Sequence, residues 1–255
     1  MTKKNIIIVG YPKSGTTWLS RLVAELVECP LQGDWGFENI NALYKEGQNR
    51  TSEFQVFKSH HTFQELESAS KLNIHKIIYI VRDPRDIVIS GIHYFRFLPK
   101  LLAKKEGLTL NPVLKKTYNR LVSKKEKKRQ MIQALLHGNN NLNPWLKLSW
   151  NNHYLPYHKE NLLFIKFEDL IDSPESECKN ILTYLEVSSN EDHIKNSIEK
   201  QSFQERKFNS SNKNEKELTK LLRKGVYGNW EKELTKTEIS LFKEKLNDAN
   251  NYYTF

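Results

Sequence analysis

Residues 5–26 constrain the fold more than any other stretch, because they write a strand, a turn and a helix in immediate succession. Ile6, Ile7, Ile8 and Val9 form a β-branched run, long enough for a buried strand and too short for a helix. Gly10 ends it. From Trp18 onward, Leu19, Leu22, Val23, Leu26 and Val27 fall at helical spacing, while Ser20, Arg21 and Glu25 take the other face. The turn between them reads Gly10-Tyr-Pro-Lys-Ser-Gly-Thr-Thr. Its backbone N–H groups can converge on an oxyanion at the positive end of the helix. The pattern predicts a phosphate cradle, although glycine-rich turns of this kind also occur as plain strand-to-helix connections.

Gly10 and Gly15 have the spacing of a Walker A loop, in which Lys follows the last glycine and a Ser or Thr then ligates magnesium. Here Thr16 stands where that lysine belongs and Lys13 lies inside the loop. The charge has moved, so the rest of the chain must say which anion it serves.

At 255 residues the chain can form one α/β domain, and its net charge of +10 favours anionic ligands: nucleic acid, anionic lipid or a charged nucleotide. Much of the excess lies in 115–129, which reads as a solvated helical face. Cys29 and Cys178 are far apart, without CxxC or metal spacing, and are expected to pack as small apolar groups. Lys3 and Lys4 precede a short apolar run with no cleavage site, and no segment approaches the ~20 apolar residues of a membrane helix. The expectation is a cytoplasmic protein.

Further along, 29–50 is rich in Gly, Asn and aromatic residues and reads as an irregular connection. Residues 53–58 form a second short strand that ends in Ser59-His60-His61. A helix follows over 63–72. Ile77, Ile78, Ile80 and Val81 mark a strand buried on both faces, ending in Arg82-Asp-Pro-Arg-Asp and turning helical from Ile87 through Ser90 to Tyr94. The basic stretch 97–150 is helical in parts, interrupted at Gly138-Asn-Asn-Asn. Residues 162–167 form another strand. Ser173-Pro174-Glu175 starts a helix whose stripe is Cys178, Ile181, Leu182 and Leu185. Residues 194–222 read as helical and polar, and 239–246 as a last helix. Alternating strands and helices imply a single α/β domain, 1–255, with a central parallel sheet flanked by helices. Ligands of such sheets bind beyond the carboxyl ends of the strands. Those ends carry the Lys13 loop, Lys58 with His60, and Arg82.

Four separated segments, Tyr11-Pro-Lys-Ser-Gly-Thr-Thr-Trp18, Lys58-Ser-His60, Arg82-Asp-Pro-Arg-Asp with Ser90, and Arg223-Lys-Gly-Val-Tyr-Gly-Asn-Trp230, together resemble the cytosolic sulfotransferase family. These enzymes use 3′-phosphoadenosine 5′-phosphosulfate (PAPS) and have a P-loop NTPase-like fold. The resemblance runs through nearly the whole chain, in order. It implies that Lys13, Ser14, Gly15, Thr16, Thr17 and Trp18 bind the 5′-phosphosulfate, with Trp18 near the adenine. It assigns the 3′-phosphate to Arg82, Ser90, Arg223, Lys224 and Gly225, and the adenine wall to Phe167 and Phe203. Guanidinium groups suit phosphate by bidentate bonding. Two anion sites then explain the basic charge without nucleic acid or membrane. His60 resembles the catalytic base, Lys58 a lysine that polarises the transferring group, and Lys13 the residue that stabilises charge on the breaking bond. PAPS has no triphosphate, so no metal is implied, and PAP is the product.

Departures from the family pattern are specific. Phe167-Glu168-Asp169 has Phe where the family has Tyr, and Gln201-Ser202-Phe203 only partly matches a Thr-Ser-Phe contact. Glu231, Lys236 and Ser240 replace the family's dimer motif, so oligomeric state is left open. A P-loop small-molecule kinase is the alternative reading, with Asp83 the one weak candidate for a magnesium ligand. A non-catalytic nucleotide or nucleic-acid binder is a third, against which His60 and Lys58 stand. The acceptor is expected to be a small molecule with a hydroxyl or amine, in a pocket walled by 35–44, 93–98 and 145–157, although those aromatic residues equally suit a core.

Overall fold

The β-branched run becomes strand β1 (Lys4–Val9), and Ile6 to Val9 are fully buried. The computed structural model describes residues 3–36, 45–68, 74–99, 102, 111–158, 160, 162–202, 205, 225–246 and 253. Its other strands are β2 (Leu31–Asp34), β3 (Lys45–Glu46), β4 (Phe54–Ser59), β5 (Ile74–Val81) and β6 (Leu163–Lys166). Among the described residues the helices are α1 (Thr16–Leu26), α2 (Phe63–Ser68), α3 (Pro84–Tyr94), α4 (Pro112–Leu121), α5 (Lys124–His137), α6 (Trp150–His158), α7 (Phe167–Asp172), α8 (Pro174–Leu185), α9 (Glu191–Lys200), α10 (Trp230–Glu233) and α11 (Lys236–Leu246). None is long and apolar enough to cross a membrane.

The strands form one six-stranded sheet in the order β3-β2-β4-β1-β5-β6. Every pairing is parallel except β2 with β3. The α/β class and its mostly parallel central sheet are as expected. The register places Val9 beside both Ser59 and Tyr79, Asp34 beside Lys58, and Val81 beside Lys166. The carboxyl ends of five strands therefore open along one edge.

Two differences from the sequence reading have physical causes. The stretch 29–50, expected to be irregular, contributes β2 and the two-residue β3, the latter making the sheet mixed. A four-residue strand containing Gly33 is too short to show alternation. Phe167, expected to end a strand, instead begins α7.

Backbone contacts divide the chain into two compact units. The first (1–10, 14–82 and 160–226) holds the whole sheet. Its core joins Ile6, Ile8, Leu19, Leu22, Val23, Ile78, Ile80, Ile165, Ile181 and Leu185 with both cysteines. Burial pushes the Cys29 and Cys178 thiols up to about 12, so both are inert packing groups. The second unit (11–13, 83–159 and 227–255) packs α3 against α5, which in turn meets α6 and α11. Trp150, Tyr154 and Tyr157 are fully buried there, the core alternative for that aromatic stretch. The basic run 115–129 is two helices rather than one face. Ser123 caps α5 by accepting from the Glu126 N–H, so the Ser-x-x-Glu spacing marks the break.

A Cβ added at Gly10 would lie 2.6 Å from the Ile80 carbonyl oxygen, which is held in the sheet. Gly10→Ala should therefore destabilise the protein by about 1–3 kcal/mol. At Gly91 the same atom meets the Met131 sulfur at 2.6 Å, a flexible group that can turn aside, and Ala gains ~1 kcal/mol of helix propensity. Urea midpoints should fall for Gly10→Ala and stay near wild type for Gly91→Ala. Equal losses would mean that the Ile80 carbonyl is not the constraint.

Candidate active site

The turn between β1 and α1 owes its shape to two left-handed residues, Lys13 (φ 75°) and Gly15 (φ 104°). Gly15 is the cap residue of α1, and no side chain caps that helix start. The first N–H groups of a helix left in this state suit an anion. Ser14 is fully buried, and its hydroxyl finds no hydrogen-bond partner among the described residues. A buried orphan hydroxyl is costly, about 1–3 kcal/mol, unless something supplies its partner. The loop therefore has the donors and the unfilled polar atom that a bound oxyanion would use. Phe167 packs onto it so tightly that a Cβ at Gly15 would meet its ring at 2.7 Å.

His60 follows β4, next to the end of β1. Its Nδ1 lies 2.7 Å from the Gly10 carbonyl oxygen. A carbonyl can only accept, so Nδ1 carries the hydrogen, and in the neutral ring the lone pair resides on Nε2. His61 differs: its Nδ1 is 2.9 Å from Ser59 Oγ, which also accepts from the His61 N–H. Lys58 is buried, and its Nζ pairs with Asp34 Oδ1 at 3.0 Å. Burial holds the Lys58 ammonium below the ordinary lysine range, while the charge and hydrogen bond of Asp34 pull the other way. Sequence reasoning missed Asp34, whose short strand gave no signal of its register.

A second cluster in the first unit gathers around Phe167. Trp18 meets its ring edge-on at 5.8 Å, and the Arg82 guanidinium lies over it at 4.0 Å. Trp18 Nε1 donates to the Gln201 carbonyl at 2.9 Å, and Arg82 Nη2 donates to the Val226 carbonyl at 3.1 Å. Gly225, just before Val226, is left-handed (φ 61°). The structure thus brings Gly15, Trp18, Phe167, Arg82 and the Gly225 turn together through contacts that can be followed residue by residue. Phe203, Arg223 and Lys224 lie outside the described residues.

Lys13 and Ser90 belong to the second unit. The Lys13 ammonium stands 3.9 Å from the Tyr94 ring centroid, and Tyr94 is one helical turn beyond Ser90 in α3. At the start of α3, Asp83 accepts from the Arg85 N–H and also pairs with the Arg85 side chain at 2.6 Å. Asp83, the one candidate metal ligand of the kinase reading, is thus engaged as a helix cap. Among the described residues no group of three His, Cys, Asp or Glu side chains is gathered to hold a metal ion.

A mostly parallel sheet whose strand ends carry a loop suited to an anion defines an α/β protein of the kind that binds ligands beyond its strand ends. The family model described as sulfotransferase domain matches residues 3–249, and the chain belongs to that family. It is a sulfotransferase by class. It is 25% identical to mouse sulfotransferase 1 family member D1 over 94% of this chain and 81% of the relative. It is also 25% identical to the amine sulfotransferase of Oryctolagus cuniculus, over 96% of this chain and 81% of that one. The solved structure of mouse sulfotransferase SULT7A1 complexed with PAP has the same fold, with a TM-score of 0.68 at 21% identity over 99% of this chain and 86% of the other.

The Lys58 pair makes a stability test. Lys58 binds its proton more weakly folded than unfolded, so between the two values the unfolded state holds more protons and stability rises with pH. Asp34→Asn removes the opposing charge. It should cost up to about 3 kcal/mol at neutral pH and steepen the recovery of stability as pH rises. Denaturant midpoints measured from pH 7 to pH 10 should show this, and Lys58→Met in the Asp34→Asn background should flatten the profile. An unaltered profile in Asp34→Asn would mean that the carboxylate does not support the lysine's charge.

Proposed function

We propose that the protein moves a sulfuryl group from PAPS to the hydroxyl or amine of a small-molecule acceptor, releases PAP, and works in the cytoplasm. The observation that carries the mechanism is the hydrogen bond from His60 Nδ1 to the Gly10 carbonyl, because it presents a basic Nε2 at the strand end beside the cradle. The acceptor's heteroatom attacks sulfur in line. Its proton passes to His60 Nε2, the new bond to sulfur forms, and the bond from sulfur to the bridging phosphate oxygen breaks, its electron pair leaving with PAP. Lys13 and the loop N–H groups offset the charge growing on that oxygen. Lys58, whose ammonium form Asp34 favours against the effect of burial, attracts the sulfuryl oxygens.

Donor recognition follows from the same residues. Ser14, Gly15, Thr16 and Thr17 hold the 5′ end, Trp18, Phe167 and Phe203 flank the adenine, and Arg82, Ser90, Arg223, Lys224 and Gly225 hold the 3′-phosphate. The orphan Ser14 hydroxyl and the uncapped start of α1 support the first assignment. The contacts of Arg82 with Phe167 and with the Val226 carbonyl support the assignments of Arg82, Phe167 and Gly225. His60 is preferred to His61 because the latter's Nδ1 is engaged with Ser59 Oγ rather than with the loop. The acceptor class rests on relatives such as the rabbit amine enzyme and is open between oxygen and nitrogen.

Thermal shift separates this reading from a kinase or a nucleic-acid binder: PAP should stabilise the protein without magnesium, and ATP with magnesium or an oligonucleotide should not match it. Stabilisation by magnesium and ATP alone would overturn it. Labelled PAPS tested against phenols, alcohols and amines should then identify an acceptor. With that acceptor, His60→Ala should lower kcat by ~100-fold or more while leaving PAP affinity near wild type. Loss of PAP binding instead would make His60 structural.

A further inference from the structure

The stretch Arg82-Asp-Pro-Arg-Asp86 carries two acids beside the residues assigned to a phosphate. A carboxylate is no ligand for a phosphate, and Asp83 is already explained as the cap of α3 and the partner of Arg85. Asp86 is not. It is 2% exposed, in the first turn of α3, where the helix N-terminus favours a negative charge. Its Oδ2 accepts a hydrogen bond from the Gly228 backbone N–H at 2.6 Å. Gly228 is left-handed, with φ 77°.

The neighbouring contacts form a pattern. Arg82 donates to the carbonyl of Val226, Asp86 accepts from the N–H of Gly228, and Arg85 lies over the Trp230 ring at 3.8 Å. Three alternate residues of one segment are thus each held by a residue of the Arg82–Asp86 stretch. Of the two hydrogen bonds among these holds, that of Asp86 is the shorter and the less exposed, 2.6 Å and part-buried against 3.1 Å and exposed for Arg82, so it is the stronger constraint on the backbone. Gly225 lies three residues upstream of Gly228, and on the proposed reading its N–H must be held within ~0.5 Å of its working geometry to serve an anion.

We infer that Asp86 is a positioning residue for the donor's 3′-phosphate, acting through the Gly228 N–H to fix the segment that carries Gly225. This rests on the proposed reading in which Gly225 and Arg82 serve that phosphate. The contribution of Asp86 is to the shape of the segment and not to the attraction of the phosphate.

PAP and AMP differ in the 3′-phosphate, so the ratio of their dissociation constants, measured by calorimetry, isolates that site. Wild type should prefer PAP by at least tenfold. Asp86→Ala should weaken PAP at least tenfold while leaving AMP within about threefold, and Asp86→Asn, whose side-chain carbonyl still accepts from Gly228, should retain most of the preference. If Asp86→Ala does not fold, Asp86→Glu, which keeps the charge but displaces the acceptor by one methylene, takes its place with the same expected loss. A wild type without preference for PAP would overturn the 3′-phosphate reading itself. A preference that persists unchanged in Asp86→Ala or Asp86→Glu, or an equal loss for AMP and PAP, would overturn the role of Asp86 alone.

Discussion

Parallel pairing of β1 with both β4 and β5 is the constraint on which the rest depends. Because the three strands run the same way in tight register, the chain leaves the sheet at Gly10, His60 and Arg82 along one edge. None of these residues could be brought there by local sequence alone. The buried β-branched run of β1 fixes the register, since slipping it by one residue would exchange its faces and disturb β4 and β5 together. Closeness does the remainder. Gly10 has no room for a side chain against Ile80, and its carbonyl is then in place to orient His60.

That edge collects charge, and the structure balances it in different ways. Lys58 is buried and matched by Asp34, and Arg85 is matched by Asp83. Away from that edge, Arg21 meets Glu46 at 2.9 Å, and Glu25, near the C-terminal end of α1, bonds both Arg50 and Lys200. Burial works against ionisation of Glu25, yet the hydrogen bonds and charges of Lys200 and Arg50 prevail and hold its carboxyl below the usual range. Arg82 is placed differently, over an aromatic face and against a backbone carbonyl.

What the sequence made legible follows from the range of each signal. The strand-turn-helix at Ile6 to Leu26, the buried strand at Ile77 to Val81 and the helix from Pro174 were readable because burial and period are written within a few residues. The positions of Lys58, His60 and Arg82 at or just beyond strand ends were readable because a parallel sheet aligns those ends. Asp34, Tyr94 and Asp86 were not, since each acts through a partner far along the chain: Lys58, Lys13 and Gly228. No local pattern reports such a pairing. The β2 and β3 strands escaped for the opposite reason, being too short to show any period.

The displaced lysine of the loop can be understood energetically. A non-glycine residue in the left-handed region is strained by roughly 1–2 kcal/mol, and Lys13 has φ 75°. Glycine would relieve that strain, so holding a lysine there needs a compensating interaction. The contact of its ammonium with Tyr94, 3.9 Å from the ring centroid, contributes on the order of 0.5–2 kcal/mol, the same size as the strain. The two are of similar size, so the contact with Tyr94 can offset the backbone strain. An anion in the cradle offers the ammonium a charged partner, a stronger attraction than a ring face. On the proposed reading that anion is the donor's, and it is met by a lysine inside the loop, with Thr16 in the place of the Walker lysine.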